Sequence, residues 1–425
     1  MDHEFMSYHY FSYVTGVAQT TGLTDGPATL SGLYVYYFGA ALRYPAPVRK
    51  LLREALIYHK HASTLDYERA IHAYEQALAV LADTPGFPPA DDHVTGILVE
   101  LADVLDRAKR WAEAAAVDKD LLERWVGQQG MEDPVLVGRR LAAGAIEGHQ
   151  SPGNSSVVRE TIMKALGTSH HLADMYSKVY KSSHSDEVPD SNIVGDSDSD
   201  ALLRGRERAL EWSVQVVMVA LGLFHSPAPK ESQSSTTPPP DTSAQPSTDS
   251  SSSSSPSNIF AGLPVVPMDA NRLPPWITYQ EVGGCLEALA LYYANEGHRP
   301  QIALAMYSSL IELIGDRDPC HASVLMTHCA QILADHAHNL PRAKHWLDHA
   351  LSVATQFQHN NPECADNCTA AWYSYGILEE RVGNSSGALK QFKKAHYNAK
   401  QKGQLETQGL AQQAIDRLVA ADPNR

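Results

Sequence analysis

Positive charge is scarce in this chain, with 34 lysines and arginines against 49 aspartates and glutamates and a formal net charge of −15. That sign excludes nucleic acid and an anionic membrane face as the main partner. Cysteine is scarce too. The five cysteines, Cys285, Cys320, Cys329, Cys364 and Cys368, all lie in the C-terminal half. An odd number scattered over helical stretches predicts reduced thiols and not the disulfide frame of a small secreted protein. Long apolar runs are missing. Leu30–Leu42 contains Ser31 and two glycines, and Val214–Phe224 is shorter still, whereas a spanning helix needs roughly 20 apolar residues. Both runs are expected to be buried helices. The first residues carry Asp2 and Glu4 and no arginine before Arg43, so neither a signal peptide nor a transit peptide is recognisable. There is no P-loop, no dinucleotide-binding glycine pattern, no C-x-x-C pair and no H-E-x-x-H, which removes the common nucleotide and zinc-hydrolase readings.

What is present is a repeat. Trp372, Tyr375, Gly376, Ala388, Phe392 and Ala395 fall at positions 4, 7, 8, 20, 24 and 27 of a 34-residue tetratricopeptide (TPR) helix–turn–helix. One such unit cannot bury its apolar face alone, so it predicts stacked neighbours. Weaker copies supply them: Ala70, Tyr74 and Ala77; Leu101, Ala102 and Leu105 followed by a turn at Lys109–Arg110 and by Trp111, Ala114 and Ala115; Ala303, Tyr307 and Leu310; and Ala343, Leu347 and Ala350. Small residues let paired helices cross closely, and the aromatic beside them fills the gap. Burying one such ring removes roughly 150–250 Å² from water, so Trp372→Ala is expected to cost about 3–5 kcal/mol. The fold class that follows is all-α: a TPR-type right-handed superhelix of antiparallel helix pairs.

Along the chain, residues 1–42 stay unassigned. Residues 43–229 form a first TPR-like block, with a Pro/Gly/Asp loop at Asp83–Asp92. Within it, residues 157–181 read as a helix pair, Asp186–Asp200 as an acidic loop, and Leu202–Phe224 as a long helix. Residues 230–258 hold 17 serines or prolines in 29 positions, with Ala244 their single aliphatic residue. Such a segment has nothing to offset its ordering entropy and is expected to be a disordered linker. Residues 259–425 form a second TPR block closed by a helix at Gly409–Val419, which would cap the exposed end of the array.

Chemical motifs are few. Gly383-Asn384-Ser385-Ser386-Gly387 has the spacing of a hydrolase nucleophile elbow, but an amphipathic helical stretch precedes it where a strand is required, so it reads as the turn of the best TPR unit. The block from Cys320 to Cys368 is rich in histidine, and His345 and His349 stand one helical turn apart, a spacing able to chelate a metal. A metal-dependent enzyme built on that block is the alternative from another functional class. Catalytic residues, cofactors and a resident metal are not expected.

Counting TPR positions places His59, Asp103, Asp106, Tyr292, Asn295, His328, Asp335, Tyr373 and Glu380 on the first helices that line a concave groove. That groove would be acidic and aromatic, suited to basic or apolar segments of protein partners and client polypeptides.

Several segments carry a resemblance. Leu51 to Leu56 leading into Tyr74–Leu78, His93 to Ile97, Leu273-Pro274-Pro275-Trp276, Cys320 with Ser323 to Met326, and Cys364 through Glu379 are together similar to the fungal TPR adaptor subunit of the mitochondrial i-AAA protease. The resemblance covers roughly residues 42–130 and 270–420. It implies a non-enzymatic inner-membrane protein that delivers unfolded or misfolded clients to a AAA protease. That family also carries a presequence and a transmembrane segment, neither recognisable in residues 1–42, so membrane contact would need an anchor not visible here. Within the binding class, the alternative is a soluble scaffold or cargo adaptor of the kinesin-light-chain type, whose repeats are also longer than 34 residues.

Overall fold

The computed structural model describes residues 44–60, 65–147, 152–184, 196–222, 273, 277–336 and 338–421. The unassigned N-terminal segment, the Leu30–Leu42 run and the Ser/Pro segment lie outside them. Among the described residues there are fourteen α-helices, one short 3-10 turn and no strand, arranged as a TPR-type helical solenoid. They fall into two compact units, one ending at Ala220 and the other beginning at Leu221.

The first unit comprises α1 (Ala46–Lys60), α2 (Tyr67–Ala82), α3 (Asp92–Arg107), α4 (Trp111–Glu132), α5 (Pro134–Glu147), α6 (Pro152–Ser183) and α7 (Asp196–Ala220). Asp66 caps α2 by accepting from the Arg69 amide at 3.2 Å, and Asp91 caps α3 by accepting from the His93 amide at 2.8 Å. Each cap satisfies a helix-end donor that would otherwise be orphaned. The signature residues Ala70, Tyr74, Ala77 and Ala114 are all buried where paired helices cross.

Three expectations for this unit change. The helix pair read over 157–181 is one continuous helix, α6. The polar Gly167-Thr168-Ser169 stretch suggests a break, yet Ser169 is fully buried and its hydroxyl donates to the Ala209 carbonyl of α7 at 2.6 Å. A satisfied buried serine needs no turn. The acidic segment ending at Asp200 is helical from Asp196 onward. Helix α5 was not foreseen. Asp133 accepts from the Leu136 amide at 3.1 Å and Pro134 opens the first turn, a start signal that was there to read. Gly138 then lets α5 approach α7 closely, since a Cβ at that position would lie 2.7 Å from the Val216 carbonyl oxygen.

The second unit comprises α8 (Tyr279–Asn295), α9 (Pro300–Ile314), α10 (Pro319–Asp335), α11 (Leu340–Phe357), α12 (Pro362–Arg381), α13 (Ser385–Lys402) and α14 (Leu405–Ala421). Ala303, Tyr307, Ala343, Ala350, Ala388, Phe392 and Ala395 are each 1% exposed or less, and Tyr375 is 7% exposed. Ala414 of α14 packs on Ala388 and Phe392 of α13, so the last helix covers the final pair's apolar side. Trp372 is only half-buried, with the Lys394 ammonium 3.8 Å above its ring. Position 4 thus leans on the surface of the pair, and Trp372→Ala is expected to cost about 1–3 kcal/mol, less than full ring burial implies.

The turn between first and second helices repeats. Lys109, His298, His338 and Gly383 stand at the same place, two residues before the second helix begins, and all have positive φ (60°, 49°, 48° and 82°). The following residue's amide reaches back to a first-helix carbonyl each time: Arg110 to Leu105, Arg299 to Tyr293, Asn339 to Leu333 and Asn384 to Glu379. One backbone solution joins four helix pairs across both units.

The thiols also differ from expectation. Cys320 and Cys364 form a disulfide with Cα atoms 4.7 Å apart, while Cys285, Cys329 and Cys368 are free and buried. Composition pointed to reduced cysteines throughout. The geometry that overrides it is the repeat itself, since both residues sit in the first turns of α10 and α12, adjacent first helices 44 residues apart.

Candidate functional site

The residues expected to line a groove lie on α1 and α3 in the first unit and on α8, α10 and α12 in the second. In the first unit, His59 of α1 is completely buried. Its Nδ1 lies 3.3 Å from Tyr74 Oη and its Nε2 lies 3.2 Å from Asp103 Oδ2. Asp103 of α3 accepts from Lys60 Nζ at 2.6 Å and from Arg107 Nε at 3.0 Å. Burial works to raise its pKa, but the facing His59 ring and the hydrogen-bonded Lys60 and Arg107 cations overcome that and hold the carboxyl far below the usual carboxylate range. Asp106, one turn on, accepts from Lys178 of α6 at 2.8 Å. Beneath it His171 of α6 meets the buried Asp118 of α4 at 2.6 Å. Burial alone would lower the His171 pKa, yet the carboxylates of Asp118, Asp106 and Asp174 raise it.

In the second unit Tyr292 is 4% exposed, while Asn295, at the end of the same helix, is open. His328 of α10 stacks on Tyr307 with ring centroids 5.5 Å apart. Asp335 pairs with Arg381 of α12, and Glu380 of α12 pairs with Arg417 of α14 at 2.7 Å. Tyr373 is half-buried against Phe392, with ring centroids 5.5 Å apart. His59 and Tyr292 therefore do not present themselves to a client polypeptide as position counting suggests. Asp103, Asp106, Asp335 and Glu380 each have a cationic partner on a neighbouring helix, so the expected bare acidic lining is a row of ion pairs stitching successive repeats. The uncharged groove candidates that are open or partly open are Asn295, His328 and Tyr373, beside an exposed Asp335 and a partly open Glu380 that are already paired.

Reading positions within one repeat missed these partners: Lys60, Lys178, Arg381 and Arg417, and a further ladder in which His321 of α10 sits between Glu287 of α8 at 2.9 Å and Glu363 of α12 at 3.0 Å. Burial would lower the His321 pKa, but the two carboxylates raise it to about 10. Deeper in the same helix interface, Asn367 donates to Ser323 Oγ at 2.7 Å and Gln331 to Ser374 Oγ at 3.2 Å.

The serine motif is a helix start. Asn384 caps α13, accepting from the Gly387 amide at 3.0 Å and donating to Glu379 Oε2 at 2.6 Å, and Ser385 is exposed at the first helical position. His345 is exposed, and His349 Nδ1 rests 3.0 Å from Met326 Sδ. Among the described residues, the three-residue set whose ligand atoms come close enough for one metal ion is His59, Glu100 and Asp103, outside the His/Cys-rich block.

The stacked helix pairs define the class of fold, a TPR-type helical solenoid. No protein-family model matches the chain. A TPR repeat-containing protein of Schizosaccharomyces pombe is 28% identical over 143 residues, 31% of this chain and 40% of that protein. The chain thus spans about two fifths of the curated relative it matches. Similar solved structures include the assembly chaperone of RpL4, Acl4 (residues 1–338), at TM-score 0.41 and 14% identity, covering 88% of this chain and 98% of that one. The TPR2AB domain of yeast Sti1 in its pHSP90 complex follows at TM-score 0.25 and 12% identity, with the same coverages. Yeast Tom70 matches at TM-score 0.15 and 12% identity, covering 91% of this chain and 93% of that one.

Proposed function

We propose that this protein is a non-enzymatic TPR adaptor that holds unfolded or misfolded client polypeptides and presents them to a mitochondrial inner-membrane AAA protease. The observation that carries the reading is the pairing of the groove's charges. With Asp103, Asp106, Asp335 and Glu380 paired to neighbouring helices, the groove offers a client amide and aromatic surface at Asn295 and Tyr373. Such a lining suits an extended chain read through its backbone and apolar side chains, and not one fixed basic motif.

The Cys320–Cys364 disulfide supports an oxidising setting such as the space facing the inner membrane, and it speaks against the cytosolic cargo-adaptor alternative, because disulfides are rare where thiols are kept reduced. Among the described residues no helix is long and apolar enough to cross a membrane, so contact with the membrane, in this reading, comes through another segment or through the protease. The test is a crosslinked pull-down of the tagged protein from its own organism, with mass spectrometry of what accompanies it. Recovery of a AAA protease with inner-membrane proteins is expected. Recovery of cytosolic partners alone would overturn the mitochondrial role.

A further inference from the structure

At the C-terminal end of α1 the completely buried His59 faces two carboxylates of α3. Its Nδ1 lies 3.3 Å from the hydroxyl of Tyr74, which is itself 1% exposed. When Nδ1 carries the proton and donates to Tyr74, Nε2 is left as a bare lone pair. That nitrogen makes no hydrogen bond, yet it lies 3.2 Å from Asp103 Oδ2. Two lone pairs at that separation repel unless a proton or a cation stands between them. The ligand atoms of His59, Glu100 and Asp103 all lie within 4.8 Å of one another. The 3.2 Å separation is close to the edge of a tetrahedron with metal–ligand bonds of about 2.0–2.2 Å.

The position of Tyr74 matches the outer partner that metal-bound histidines use to fix their tautomer. His59 and Lys60 lie in the last turn of α1, at the end that carries the negative pole of the helix. Lys60 now stands there, with Nζ 2.6 Å from Asp103 and 3.2 Å from Glu100. Its side chain is 31% exposed, on a flexible stem that can turn into solvent. Asp103 and Glu100 are 24% and 33% exposed, which leaves an ion a way in.

We propose that His59, Glu100 and Asp103 form a divalent transition-metal site, best suited to zinc, that ties the first helices of the first two repeats together when Lys60 swings away. One imidazole and two carboxylates leave a fourth position for water, and the nitrogen–oxygen donor set favours zinc over calcium or magnesium.

The full chain, stripped with a chelator and dialysed, is titrated with zinc chloride by calorimetry and with cobalt chloride by visible absorption. Saturable uptake of about one equivalent is expected, with the intense cobalt bands of tetrahedral coordination. His59→Gln and Glu100→Gln are each expected to weaken binding at least about tenfold, and Lys60→Met to tighten it, by removing respectively a ligand and the competing cation. Glu100 is partly exposed, so Glu100→Gln tests the site even where His59→Gln perturbs the fold, which circular dichroism checks. Absence of uptake overturns the site, as does uptake unchanged by both ligand substitutions, which would mark scattered surface histidines. Binding seen in Lys60→Met but absent from the unsubstituted chain overturns it equally, since the lysine ammonium would then be the resident cation.

Discussion

Phe392 lies against Gly376 so closely that a Cβ on the glycine would stand 2.6 Å from the ring. Position 8 of the first helix thus meets position 24 of the second, and α12 and α13 reach their separation because one partner has no side chain. Gly376→Ala is expected to force the ring aside and cost the second unit about 1–3 kcal/mol, despite alanine's better helix propensity. Phe392→Ala removes the ring and should cost about 3–5 kcal/mol. Urea denaturation of the full chain measures both. A neutral or stabilising Gly376→Ala would mean that the two helices do not cross there.

The repeat was legible in the sequence because its marks are local: a small residue, an aromatic and a spacing within one helix pair. Tyr74, Tyr307 and Phe392 are buried where their positions predict. The groove was harder to read, because its contacts run between repeats. Lys60 and Asp103 are 43 residues apart, Glu380 and Arg417 are 37 apart, and Cys320 and Cys364 are 44 apart. Aligning the chain on itself at about that period would have set each pair side by side. Counting charge within one repeat instead made Asp103 and Glu380 look unpaired. Helix α5 went unread for another reason: it lacks the small-residue and aromatic spacing of a TPR helix, so a repeat-led reading passes over it.

Three of the four left-handed turn residues are not glycine: Lys109, His298 and His338. A side chain in that region costs roughly 1–2 kcal/mol through contact between Cβ and the next carbonyl. Glycine at the same place is therefore expected to stabilise, with some of the gain returned as unfolded-state entropy. Lys109→Gly should raise stability by about 0.5–1 kcal/mol in a denaturant titration, and Lys109→Val, β-branched, should lower it. A loss on Lys109→Gly would mean that Lys109 is held by interactions stronger than its backbone cost.

The disulfide closes a loop with a sequence separation of 44 between neighbouring first helices. On loop-closure entropy its removal should cost about 4 kcal/mol, and a measured value of about 2–4 is the ordinary range. Cys320→Ser and Cys364→Ser should each lower the midpoint of unfolding, and the double variant should be no worse than either single one, since all three break one bond. Mass spectrometry of protein alkylated in denaturant without reduction should show three modified thiols, matching free Cys285, Cys329 and Cys368. Five modified thiols would show that the bond is absent.

His321, next to that disulfide, ties three first helices together through Glu287 and Glu363. Burial disfavours its charge, but the two carboxylates win and lift its pKa to about 10 in the folded chain, against about 6.5 in an unfolded one. The folded state therefore holds the proton more tightly. The resulting stabilisation is fully present below about pH 6.5, declines as the pH climbs from there, and is gone above about pH 10. Its size is reduced by solvent, because the His321 side chain is 29% exposed. Stability measured by urea between pH 6 and pH 9.5 should fall with rising pH. His321→Gln keeps two of the contacts without a titrating group, so its stability should fall less steeply over the same window. Parallel slopes for the two proteins would mean that His321 is not held as an imidazolium, and that the pH dependence belongs to other groups such as His171.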